Sequence, residues 1–429
     1  MTRRSALLRR LRRRFQLSLV AIPAVYLAAA VVLGDLVPAI DRNGDSPVGL
    51  DVAAGSARDI LGATATGMIA FTGFVVASVL VVVQFAAGQY TPRLILWFRR
   101  DPVVKHAIGS FLAAFLFSLV ALRELPAVTS NASPDLTVGL ALTLLVGATV
   151  FFLVLLQRVM DSLRPRTLYA RVAREGIRAA RAIYPARLEH GAVELGDDRA
   201  WVAPTPREVR LEHHPGVLSS FAHDALLAAA IAGDATIELV PGAGEFIVPG
   251  QVLLRVHGDV AVDDATLRRA VDIADERTID QDPAFALRII VDTAIRALSP
   301  AVNDPTTAVQ ALDVLEVLIR ELATRDLEAS VARGPDGVVR LAWRSPSWPD
   351  ALDLAFDEIR FYGASSLQIA RRLRAVLEDA RASTPELRHP ALDDHLGWLD
   401  AAVAAAHPPG SPELAMAQRS DRLGLGLTR

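Results

Sequence analysis

Ser299, Asn303, Asp304, Thr306 and Thr307 crowd into the string SPAVNDPTT, between two apolar segments of helical period. Hydroxyl, amide and carboxylate groups at that density, just ahead of a helix, have two uses. They can accept hydrogen bonds from the first free backbone N–H groups of the helix. They can also line an anion or partner site, since those N–H groups and the helix dipole favour negative charge. Asp304 precedes Pro305, as Asp282 precedes Pro283, and an acid followed by proline is the pattern of an N-cap and first helical position. Capping accounts for Asp304 and Asn303 but leaves Ser299, Thr306 and Thr307 over. The string therefore reads as a capped helix hairpin or as a ligand- or partner-contacting loop.

Other chemistry-bearing groups carry less. His213, His214 and His223 lack an acid cluster at ligand spacing, and the chain has no cysteine, so no metal site is expected. Asp393, Asp394 and His395 read as an exposed helix face, and Asp263 with Asp264 are mere sequence neighbours. A phosphate-binding glycine loop, a nucleophile elbow and a His/Glu metal helix are all absent from the sequence, so neither an enzyme nor a cofactor is expected. Lys105 is the only lysine and sits at the edge of an apolar run, away from any carrier or Schiff-base role. Without a dense basic patch interleaved with aromatics in the C-terminal region, nucleic acid is not an expected partner.

The elements that hold these residues begin in an apolar half. The chain has 429 residues, 52% of them hydrophobic, too many for an ordinary soluble protein. Four runs, at about residues 15–36, 61–87, 104–124 and 136–157, approach the ~20 residues that a helix needs to cross ~30 Å of hydrocarbon. Arginines gather in the first fourteen residues, in the segment 90–105 and after the fourth run, while 41–59 is mixed and 126–134 has no basic residue. The excess of basic residues on cytoplasmic flanks predicts an inner-membrane protein with both termini cytoplasmic. On the second run Thr66, Ala70, Gly73, Ala77 and Gln84 recur on one helix face. Such a seam predicts close helix packing within a protomer, or else a pore-lining or oligomer face.

Downstream, residues 161–200 read as a juxtamembrane basic helix and linker, whose arginines could meet lipid headgroups. Residues 201–407 read as a cytoplasmic α+β domain. It opens with a helix over 219–232 and a small β-module in ATIELV, EFIV and VLLRV, shaped like half of a biotinyl or lipoyl barrel. The capped hairpin follows, then a β-hairpin turning at Gly334, Pro335, Asp336 and Gly337, a long helix interrupted around Gly363, and a last helix. Residues 408–429 are expected to be a disordered tail. The predicted fold is an α-helical transmembrane bundle of four spans plus a cytoplasmic α+β region with a helical C-terminal part.

The strings GQYTPRLI, GEFIVPGQVL, DQDPAFALRIIVDTAIRALSPAVNDPTTAVQALD and DEIRFYGASSLQIARRL resemble the bacterial membrane-protein family catalogued as domain of unknown function 2254, along most of the chain. The resemblance implies a multi-pass inner-membrane protein with a cytoplasmic C-terminal region and brings no activity, ligand or catalytic residue. Two functions fit: an oligomeric channel or transporter-like protein with a cytoplasmic gating domain, or a membrane-anchored sensor or scaffold docking a soluble partner through the SPAVNDP hairpin. The expected partners are the lipid bilayer, further copies of the chain and, in the second case, that soluble protein.

Overall fold

The computed structural model describes residues 18, 20–42, 51–89, 101–125, 133–162, 164–184, 187–188, 205–258, 263–327 and 330–423. The arginine-rich N-terminus, Arg93, Arg99, Arg100 and most of 126–134, which carried the charge argument, lie outside these residues. The chain divides into two compact units, Met1–Arg164 and Pro165–Arg429.

Helices α1 (Ala21–Arg42), α2 (Ala54–Gln89), α3 (Pro102–Glu124) and α4 (Asp135–Ser162) make the first unit. All four contain a stretch long and apolar enough to cross a membrane. The first differs most from expectation: α1 starts with the Ser18 hydroxyl accepting from the Val20 and Ala21 amides and runs on past residue 36 to Arg42. It extends because its last turn is tied down by polar contacts with other helices. Asp41 accepts from the amides of Leu136 and Thr137 and from the Thr137 hydroxyl, so a side chain of α1 caps α4. Asp135 of α4 in turn accepts from the amides of Asp51 and Val52, just ahead of α2.

The shortest apolar run of the sequence, now α3, packs against all three other helices. Its Ala107, Ser110, Ala113, Ala114, Ser118 and Ala121 are buried, and the small side chains let neighbouring backbones approach. Gly34 and Gly109 mark the tightest contacts with α1: a methyl group on either would lie 2.8 Å from Val120 or Tyr26. Phe111 and Phe117 fill the remaining space on α3. Charge sits at the helix ends. Arg158 donates to Asp101 at 2.8 Å, Arg123 pairs with Asp35, and Lys105 is buried to 2% exposure one turn into α3.

In the second unit, strands β1 (Arg207–Arg210), β2 (Gly216–Phe221), β3 (Thr236–Leu239), β4 (Phe246–Ile247), β5 (Val252–His257), β6 (Val271–Ala274), β7 (Val331–Arg333) and β8 (Val339–Trp343) form two sheets. Their orders are β1-β5-β3-β8-β7 and β4-β2-β6. Among the described residues, only the β3–β8 pairing is parallel; the other strand pairings are antiparallel. Two expectations fail here. Residues 219–221 belong to β2, so the helix that follows begins at His223, because the inward-facing Phe221 extends the strand to its pairing with Val271. The half-barrel is absent as well: β3 pairs with β5, while β4 joins β2 in the other sheet.

The helices are α5 (Pro165–Ile183), α6 (His223–Ala232), α7 (Asp264–Arg269), α8 (Pro283–Ala297), α9 (Pro305–Ala323), α10 (Trp348–Gly363), α11 (Leu367–Ser383), α12 (His389–Ala406) and α13 (Pro412–Ala417). Helix α5 is no separate juxtamembrane segment. Its apolar face packs on α8 and α9, and at Gly176 an added methyl would meet Ala286 at 2.7 Å. The tail is also structured up to residue 423. Ser411 caps α13, Arg371 donates to the Met416 carbonyl at 2.7 Å, and Arg422 pairs with Asp379. A six-residue helix has little propensity to form alone, and these contacts with α11 supply what local sequence does not.

Candidate functional site

The SPAVNDPTT string is a helix hairpin, and most of its polar atoms serve the backbone. Asp304 accepts from the Thr307 amide at 3.1 Å and from the Thr307 hydroxyl at 2.6 Å. The Ser299 hydroxyl donates to the Arg296 carbonyl at 2.7 Å, ending α8. Asn303 takes a left-handed conformation, φ +48°, which asparagine adopts more readily than most side chains. Of the three residues that capping left over in the sequence, Ser299 and Thr307 are thus partnered within the turn. Val302, Asn303 and Thr306 are exposed. Across the turn, the Tyr169 hydroxyl near the start of α5 donates to the Thr307 carbonyl.

The seam on α2 lies where packing within one protomer does not reach. Thr66, Ala70, Gly73, Ala77 and Gln84 are all exposed, while Leu61, Ala65, Met68, Thr72 and Val75 form the packed side of the same helix. Around Gly67 and Gly73, a methyl group would find nothing within 4 Å. Among the described residues, intraprotomer packing does not cover this seam. The close-packed small residues are those of α3, which periodicity could not single out because that run is apolar on every side.

Sequence reading missed a cluster on α10 and α12. His395 is buried to 2% exposure, against the expected exposed face, and its Nε2 lies 3.2 Å from Asp353. Its Nδ1 lies 4.0 Å from Asp357, whose carboxylate also meets Arg360 at 2.9 Å. Phe356 and Trp398 contact the imidazole edge-on, and Arg360 lies over the Trp398 ring. Burial pushes the His395 pKa down, against the upward pull of Asp357 and Asp353. The donor atoms of Asp353, Asp357 and His395 come within 4.8 Å of one another, close enough in principle for one metal ion. Arg360 already supplies positive charge at Asp357, so the geometry reads as an ion-pair network closed by a guanidinium.

A cavity of about 20 Å³, enough for roughly one water, lies between the sheets and the start of α8. Tyr184, Phe221, Gln281, Asp282, Trp343 and Arg344 line it. Gln281 exchanges two hydrogen bonds with the Phe221 backbone, and Asp282 caps α8 while accepting from Arg277 at 2.6 Å. Desolvation raises the Asp282 pKa in spite of that partner. Gly244, at φ +84°, passes so close that any side chain would strike Arg277 and Asp282. The string GEFIVPG thus passes directly beside the Arg277–Asp282 ion pair, where only glycine leaves room. His213 and His214 are exposed, and His223 packs edge-on against Trp343, with Phe221 beside it.

Comparisons place the chain among proteins without assigned activity. It is 28% identical over 322 residues to an uncharacterised protein of Mycobacterium tuberculosis, the match covering 72% of this chain and 61% of that one. An uncharacterised protein of Mycobacterium bovis matches equally well. The chain thus spans about three-fifths of the length of these relatives. No solved structure matches it. A family model described as "Predicted membrane protein" matches residues 16–379. With that match over most of its length and four helices able to cross a bilayer, the chain belongs to the membrane-protein family DUF2254.

Proposed function

We propose that the protein is a homo-oligomeric channel- or transporter-like protein of the bacterial inner membrane, its protomers meeting along the α2 seam and its second unit acting as a cytoplasmic regulatory domain. The observation that carries this reading is the exposure of Thr66, Ala70, Gly73, Ala77 and Gln84 on the side of α2 opposite its packed face. Small residues suit a close helix contact, and the polar ends of Thr66 and Gln84 gain more from a partner helix or water than from lipid. The interior of the protomer is filled by Phe111, Ala114, Phe117 and Ala121. A solute path therefore belongs between protomers. The alternative, a scaffold docking a soluble partner through the hairpin, draws on Val302, Asn303 and Thr306, whose exposure has a different explanation below.

Because the chain has no cysteine, single introduced cysteines report contacts without background. Gly73→Cys and Ala77→Cys are expected to form disulfide-linked dimers on oxidation in membranes, in excess of Val150→Cys on the exposed face of α4. The reconstituted protein is expected to pass ions or small solutes, and Gly73→Trp to block that flux. Equal crosslinking at all three positions removes the oligomer; crosslinking without flux removes only the channel.

A further inference from the structure

The second unit has one end where three chain segments meet. Helices α5 and α9 run in the same direction, since Tyr169 reaches Thr307 at their N-termini while Arg181 pairs with Glu321 nearer their C-termini. Helix α8 returns antiparallel to α9 and ends at Leu298 beside them. Helix α10 ends there too: a methyl on Gly363 would lie 3.4 Å from Leu298. That end therefore carries the start of α5, the 299–304 loop and the turn at 361–366.

It also leaves large apolar side chains exposed. Phe361 is 79% exposed, Tyr362 53% and Val302 49%, and the two aromatic rings pack edge to face. Arg166 stands exposed in the first turn of α5, and Arg164 stands exposed just ahead of it, 3.9 Å from Asp161. Only residues 163 and 164 separate the end of α4 from the start of α5, a reach of no more than about 11 Å. Tyr169 lies four residues further, about 6 Å along the helix. Chain continuity thus keeps the start of α5 within about 11 Å of the end of α4.

We infer that this end rests on the membrane: Phe361, Tyr362 and Val302 enter the headgroup region, and Arg164 and Arg166 hold the phosphates of anionic phospholipids. Amphipathic aromatic rings and arginines are the side chains that settle at a membrane–water interface. The assignment explains why a turn whose Ser299, Asp304 and Thr307 side chains serve its own backbone still displays Val302, and why Phe361 and Tyr362 are left uncovered. It holds whether or not protomers associate through α2.

The test uses the full-length protein in liposomes. A fluorophore on Val302→Cys or Thr306→Cys is expected to be quenched by spin-labelled lipid and shielded from iodide, whereas one on Val338→Cys, in the β7–β8 turn, behaves the opposite way. Phe361→Ser with Tyr362→Ser should weaken the lipid quenching at position 302 while the far label is unchanged. Each arginine near an anionic surface contributes about 1 kcal/mol, or about fivefold in binding. Arg164→Gln and Arg166→Gln should therefore each lower the preference for spin-labelled phosphatidylglycerol over phosphatidylcholine by about that factor. Full iodide access at 302 and 306, or shielding without lipid quenching, which marks a protein partner, overturns the proposal. So does lipid quenching that is indifferent to both substitution pairs.

Discussion

Single carboxylates decide much of this molecule. Glu321 accepts from Arg181 on α5 and from Arg325, and these bonds, the Arg181 one foremost, pull its pKa down from 4.5 to about 2. A depressed carboxylate pKa means stability that is present above 4.5 and lost as pH falls towards 2. Glu321→Gln is expected to cost about 1–2 kcal/mol, allowing for screening at the exposed Arg181, read as a lower melting temperature at pH 7 that converges with wild type in acid. His395 gives a second pH dependence in a different window. Its folded pKa lies below the unfolded 6.5, so the native state resists protonation and is weakened as pH falls through that range. His395→Asn should flatten the change in melting temperature between pH 7.5 and 5.5; an unaltered pH slope would show that the imbalance lies elsewhere. Legibility at this scale followed locality. Asp282 and Asp304 could be read as caps because their partners lie three residues away. His395 could not, because its burial is set by α10, some forty residues earlier.

At the scale of elements, what was readable was periodicity and what was hidden was choice of neighbour. The hairpin of α8 and α9, the β7–β8 turn and the break after Gly363 all follow from apolar spacing, proline and glycine. The position of α3 among the spans does not, because a helix apolar on all sides has no face that announces its contacts. Nor did the sequence reveal that α13 is held by α11 through Arg371. The spans instead choose their ends through side chains from other helices. Asp41→Ala leaves the first amides of α4 without their acceptor, and a lost cap costs about 0.5–2 kcal/mol. The expected readout is faster amide exchange at Leu136 and Thr137 with α3 unaffected, and protection equal to wild type would count against the cap.

At the scale of the whole molecule, the division at residue 164 separates two packing problems with different solvents. Helix α2, at 36 residues, is about 54 Å long, well beyond the ~30 Å of a hydrocarbon layer, so a span along it would leave part of it outside the apolar layer. Four spans and an α+β region could be read from the chain because hydropathy and period are summed over many residues. Sheet order could not, since β3 finds its parallel partner β8 about a hundred residues away.

The exchange of carboxylates between Asp41 and Asp135 also bears on how the chain is made. As the ribosome extends the polypeptide, the residues of α1, α2 and α3 are made before those of α4. Until α4 is in place, Asp41 lacks the amides it caps and the start of α2 lacks Asp135. A partly made bundle of α1, α2 and α3 is consequently unfinished at one rim, and α4 works as the clasp that closes it.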